Sequence, residues 1–189
     1  MSTDEIKDLL KDAETRMSGA IHSLVDHLAG IRTGRASPAL VEKLAVEYYG
    51  TPTHLMQLAS ISVPEPRSLL IKPFDAASIK DIEKAIQASN LGLNPNSDGK
   101  VIHLNLPPLG EERRRNLVKQ MHHRLEEARV AVRNIRRDLH NDIREYEKEK
   151  LITEDDLKRG EEDLQKLTDK FVEDIARHGY TKENEIMEV

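Results

Sequence analysis

Residues 117–146 read LVKQMHHRLEEARVAVRNIRRDLHNDIREY. Within that stretch Leu117, Met121, Leu125, Ala128, Val132, Ile135, Leu139, Ile143 and Tyr146 recur in steps of three and four. Such spacing lines apolar side chains along one stripe of an α-helix. Pro107-Pro108 hold the chain extended just before it. From about Leu109 to Lys150 the helix measures roughly 60 Å at 1.5 Å per residue. A helix of that length has to bury its stripe against other helices.

Working outward, both ends of the chain supply such helices. In residues 1–31 the stripe is Ile6, Leu10, Ala13, Met17, Ala20, Leu24, Leu28 and Ile31. After Lys150, Thr153 followed by Asp156 is a short form of the capping box. The stripe that follows is Leu157, Leu164, Leu167, Phe171 and Ile175. Gly179 is expected to end or fray this third helix. Residues 1–31 and 106–189 therefore form a discontinuous three-helix bundle.

Residues 32–105 have a different texture. Seven of the eight prolines fall between Pro38 and Pro107, among short runs that read as strands. These runs are Leu44–Tyr49, Ser60–Val63, Leu69–Lys72 and Val101–Leu104, bounded by turn signals such as Tyr49-Gly50-Thr51-Pro52 and Asn94-Pro95-Asn96. One helix interrupts them, with Asp75 as N-cap and Ile79, Ile82 and Ile86 as its apolar face. The fold class is α+β: a long bundle carrying an inserted β/α/β domain. Hinges are expected near Ile31-Arg32 and Asn105-Leu106, where two chain connections join the parts.

Composition narrows the function. The chain has 189 residues and no Cys, which excludes disulfides, thiolate metal sites and a cysteine nucleophile. No apolar run approaches the roughly 20 residues of a membrane span. Acids stand at the N-terminus, Asp4-Glu5, where a targeting peptide needs bases. A cytoplasmic protein without a membrane partner is expected. The net charge of −5 conceals a segregation: residues 106–144 carry +4 and residues 145–189 carry −7. Residues 113–137 hold nine basic side chains against two acids, Glu126 and Glu127. Arg129, Arg133, Arg136 and Arg144 share one helical face, and Arg113, Arg114 and Arg115 cluster at the start of the same helix. The guanidinium fork suits phosphate. With no aromatic in that stretch, the face suits the phosphates and shape of structured RNA. The competing reading is a solvated face paired to the acidic third helix.

Catalytic patterns are missing. Gly30-Ile31-Arg32-Thr33-Gly34-Arg35 lacks the spacing and lysine of a phosphate loop. There is no nucleophile elbow and no zinc-binding His pair. His22 and His27 stand five apart and His122 and His123 are adjacent, so neither pair shares a face at i, i+4 and no metal site is expected. The residues alone point to a two-domain binding protein without enzymatic activity or cofactor. A helical RNA-binding module and a helical protein adaptor both remain open; the adaptor would tolerate reversal of the arginine face.

Five segments are more specific. Ile31-Arg32-Thr33-Gly34-Arg35-Ala36-Ser37-Pro38 resembles a signature of the bacterial ribosome recycling factor family. So do Val46-Glu47-Tyr48-Tyr49-Gly50-Thr51-Pro52-Thr53, Asn90-Leu91-Gly92-Leu93-Asn94-Pro95-Asn96, Leu106-Pro107-Pro108-Leu109, and Ala128 to Asp138. The resemblance runs in order over essentially the whole chain. It implies an L-shaped molecule with a flexible elbow, acting as a monomer. It implies binding to the post-termination ribosome, against large-subunit rRNA. With elongation factor G and GTP, the subunits then part and mRNA and tRNA are released. Carried over by residue, ribosome contact falls on Arg113, Arg133 and Arg136, with Arg129 and Arg137 as neighbours. Arg32 and Arg35 match a basic pair beside the elbow.

Overall fold

The computed structural model describes residues 4–188. In chain order the elements begin with α1 (Asp4–Ala29), β1 (Ala45–Tyr48), β2 (Thr51–His54), α2 (Leu55–Leu58), β3 (Ala59–Glu65) and β4 (Ser68–Pro73). They continue with α3 (Ile79–Ala88), β5 (Pro95–Ser97), β6 (Ile102–Asn105), α4 (Glu111–Lys148) and α5 (Glu154–Met187). The chain divides into two compact units. One holds the residues up to Leu28 and Val118–Glu183; the other holds Ala29–Leu117 and the segment from Asn184 onward.

In the helical unit α1, α4 and α5 bury their stripes together. On α4 Met121 through Ile143 are buried at each expected position, and Tyr146 is half-buried; Leu117, also buried, belongs to the second unit. On α1 the buried set is Ile6, Leu9, Ala13, Met17, Leu24 and Leu28. Leu9 takes the place expected for Leu10, because an apolar pair satisfies either step of the period. The helix stops at Ala29, so Ile31 lies beyond it.

Helix α5 corrects a second expectation. Gly179 does not end it; the helix continues to Met187. A Cβ on Gly179 would lie 2.4 Å from Cδ1 of Leu125 on α4. The glycine is there because α4 fills the space its side chain would occupy. Gly160 also faces the interior, against Ile143 and Ile6. The start of α5 follows the capping pattern. The Thr153 hydroxyl donates to Asp156 Oδ2 at 2.7 Å, and the Asp156 N–H donates back to Thr153 Oγ1 at 3.1 Å.

The second unit contains a β1–β2 hairpin and a four-stranded antiparallel sheet in the order β3-β4-β6-β5. Ile102 and Leu104 of β6 point inward, while His103 and Asn105 are exposed. They join Leu69, Ile71, Leu55 and the α3 stripe of Ile79, Ile82 and Ile86 in one core. Strands β2 and β5 stand where turns were expected. Both contain a proline, Pro52 and Pro95, and both occupy sheet edges, where a missing N–H is tolerated. The hairpin tip is Tyr49-Gly50, with φ of 49° and 77°, as a two-residue turn between twisted strands requires. Asp75 caps a short 3-10 turn, Ala76–Ser78, that leads into α3; its Oδ1 accepts from the Ala77 N–H at 3.0 Å.

Candidate nucleic-acid interface

The arginine face of α4 is built by helical spacing on a helix whose apolar stripe is buried. Arg129 Nη1 donates to Glu126 Oε2 at 2.9 Å and Arg133 Nη2 to Glu126 Oε1 at 2.7 Å. One carboxylate thus holds two arginines, one per oxygen. The bonds from Arg129 and then Arg133 hold the Glu126 carboxyl below the usual glutamate range. Arg136 Nη1 donates to Gln165 Oε1 of α5 at 3.3 Å, and Gln165 Nε2 donates onward to Asp169. Arg137 Nη2 donates to Asn134 Oδ1 at 3.2 Å. Arg144 Nε donates to Glu161 Oε1 at 3.2 Å, with His140 Nε2 at 2.9 Å from the same oxygen.

These partners sort the arginines by charge. Arg136 and Arg137 bond to neutral amide oxygens and keep their full field. Arg129 and Arg133 share a single negative charge, so the pair is net positive. Arg144 gives its Nε to a carboxylate on α5, as the paired-face reading expects for one member. Asp138, beside Arg137, accepts instead from Arg16 of α1 at 3.3 Å. Exposed pairs of this kind contribute little stability; their effect is to hold long side chains in place.

The other three predicted arginines lie in the second unit. Arg32 Nη2 donates to the Pro107 carbonyl at 2.6 Å, joining the two connecting segments. Burial, then the neighbouring charge of Arg113, pushes the Arg32 guanidinium below the usual arginine range. It remains charged at any physiological pH. Arg113 itself is exposed. Arg35 Nη2 pairs with Glu188 Oε1 at 2.5 Å. Among the expected hinge residues, Ile31 is half-buried and Asn105 ends β6 opposite Ser68. Leu106 is buried in the core, its N–H donating to Arg67 O at 2.8 Å.

Sequence reasoning missed Glu126 and Gln165, and placed Arg114 in the basic cluster without showing its burial. Glu126 counted as one of two stray acids, and nothing in a spacing pattern shows that it bridges two arginines. Gln165 comes from another helix. Arg114 is half-buried, and its Nε is enclosed without a hydrogen-bond partner. Among the described residues no group of three or more His, Asp or Glu side chains gathers to hold a metal ion. No helix among them is long and apolar enough to cross a membrane.

The family model for ribosome recycling factor matches residues 24–187. This chain belongs to the ribosome recycling factor family. The ribosome-recycling factor of Halalkalibacterium halodurans is 56% identical over 183 residues, covering 97% of this chain and 99% of that protein. That of Chloroflexus aurantiacus is 54% identical over 184 residues, covering 97% and 100%. A solution structure of the ribosome recycling factor matches at a TM-score of 0.78 and 47% identity, over 99% of this chain and 100% of that one. A second structure matches at a TM-score of 0.69 and 43% identity, over 96% and 98%. It places the T. thermophilus ribosome recycling factor and E. coli elongation factor G on the E. coli post-termination complex. The matched span of the ribosome recycling factor family includes all seven predicted arginines and Gly179.

Proposed function

We propose that this chain recycles ribosomes after termination. It binds the post-termination ribosome and, with elongation factor G and GTP, promotes separation of the subunits and release of mRNA and tRNA. The observation that carries this reading is the family match over nearly the whole chain. The neighbour placed with elongation factor G on the post-termination complex supports it. The chain performs no reaction of its own; GTP chemistry belongs to the elongation factor. It works as a cytoplasmic monomer.

Contact with large-subunit rRNA runs through Arg133 and Arg136, flanked by Arg129 and Arg137. Arg113 and Arg35 add basic groups on the second unit, and Arg32 contributes by fixing Pro107. The uncompensated charge on Arg136 and Arg137 supports that assignment. Each phosphate neutralised releases counterions, so binding weakens steeply with salt. The bundle and the inserted domain move about the connections at Ile31-Arg32 and Asn105-Leu106. On the second connection Leu106 is buried in the core of the second unit.

The reading is tested with Arg136→Ala and Arg133→Ala. Each is expected to weaken large-subunit binding about tenfold and to lower the salt dependence by about one phosphate equivalent. Arg144→Ala, whose guanidinium is tied to Glu161, changes binding less. Unchanged affinity in both of the first two variants contradicts the assignment.

A further inference from the structure

Glu126 stands on the basic face of α4 with both its oxygens occupied, one by Arg129 at 2.9 Å and one by Arg133 at 2.7 Å. Arg129 is three residues away, an ordinary neighbour on a helix. Arg133 is seven away, two full turns, and extends along the helix to reach the carboxylate. The two guanidinium tips therefore converge on a space one anion wide, with one N–H donor for each of two oxygens. A phosphodiester presents two non-bridging oxygens in a similar bite and carries the same single charge. Glu126 and a backbone phosphate are alternative occupants of one clamp.

Glu126 is half exposed, so its side chain can leave without disturbing the core. The neighbouring Glu127 differs, because it pairs with Arg124 and His123 and touches neither clamp arginine. We propose that Glu126 is an internal competitor on the RNA face, which a phosphate must displace from Arg129 and Arg133. The inference rests on the reading of α4 as the rRNA-contacting face. Its consequence is kinetic. The returning carboxylate takes the two arginines as the phosphate departs, and so shortens the time the protein stays bound. A factor that acts in successive rounds needs such release, and most affinity changes within one interface appear in the dissociation rate.

The test compares Glu126→Gln with Glu127→Gln in the full chain, binding purified large subunits across a salt series. Both variants remove one negative charge from adjacent positions, so a long-range charge effect moves them equally. The expected result is about threefold to tenfold tighter binding for Glu126→Gln, the size expected when exposed ion pairs no longer compete. The gain lies in the dissociation rate, and Glu127→Gln stays within about twofold of wild type. Adding Arg133→Ala to Glu126→Gln removes the gain. Equal effects of the two glutamine variants, or weaker binding by Glu126→Gln, overturn the competitor and leave the RNA face intact. Salt-insensitive or absent binding by the wild-type protein overturns the RNA face itself, and the competitor with it.

Discussion

At the scale of the residue, two glycines inside helices have opposite meanings. Gly19 lies exposed on α1 with nothing within 4 Å of where a Cβ would stand. Gly179 meets Leu125, itself buried, at 2.4 Å. Gly19→Ala is expected to stabilise by about 0.5–1 kcal/mol through helix propensity and a less free unfolded chain. Gly179→Ala gains the same propensity but forces Leu125 off its place, at about 1–3 kcal/mol. Thermal unfolding of the two variants should therefore move in opposite directions. A rise in Tm for both would show that Leu125 repacks freely. This difference was not legible in the sequence. Read locally, Gly179 is a helix stop; only the partner helix reveals that a missing side chain is what the packing requires. Glu126 illustrates the same limit, since a count of charges cannot show that one carboxylate spans two arginines.

At the scale of the element, the start of α5 is where the sequence and the structure agree most closely. Thr153 and Asp156 bond reciprocally, as their spacing implies. The Thr153 hydroxyl, then its N–H, holds the Asp156 carboxyl below the usual aspartate range. A lowered folded pKa means the folded state favours the charged form. That contribution is complete above the ordinary aspartate range and disappears as pH falls through the lowered value. Thr153→Ala should cost about 1 kcal/mol at neutral pH. The gap to wild type should narrow in acid, below about pH 4. Denaturant unfolding at several pH values measures it, and a gap independent of pH would contradict this account of the cap. The helical stripes were legible because their period repeats many times. Leu9 and Leu10 were exchanged because two adjacent leucines fit one period equally well. Strands β2 and β5 were hidden by Pro52 and Pro95, which signal turns until the neighbouring strand shows them to be edges.

At the scale of the whole molecule, charge and ancestry meet. The helix from Glu111 to Lys148 carries the arginine face, and the chain that follows it is strongly acidic. If the basic face meets rRNA as proposed, repulsion of the acidic segment and attraction of that face orient the approach before contact is made. The strands and helix within residues 32–105 were legible as a block of prolines and short apolar runs, because texture changes survive errors in individual strand limits. Family membership was legible in five ordered segments, several of which hold the chain's geometry as well as its basic groups. Arg32, in the first of them, bonds the carbonyl of Pro107 in the fourth. The shared helical face of the arginines was legible as spacing on α4; their grading by partner was not, because Gln165 and Glu161 come from α5.

The most direct test of the central claim is subunit splitting followed by light scattering. Post-termination ribosomes are mixed with this protein, elongation factor G and GTP. Splitting that requires all three components, and that Arg136→Ala slows, is the predicted result. Full binding of the protein to those ribosomes with no splitting under any combination would contradict it.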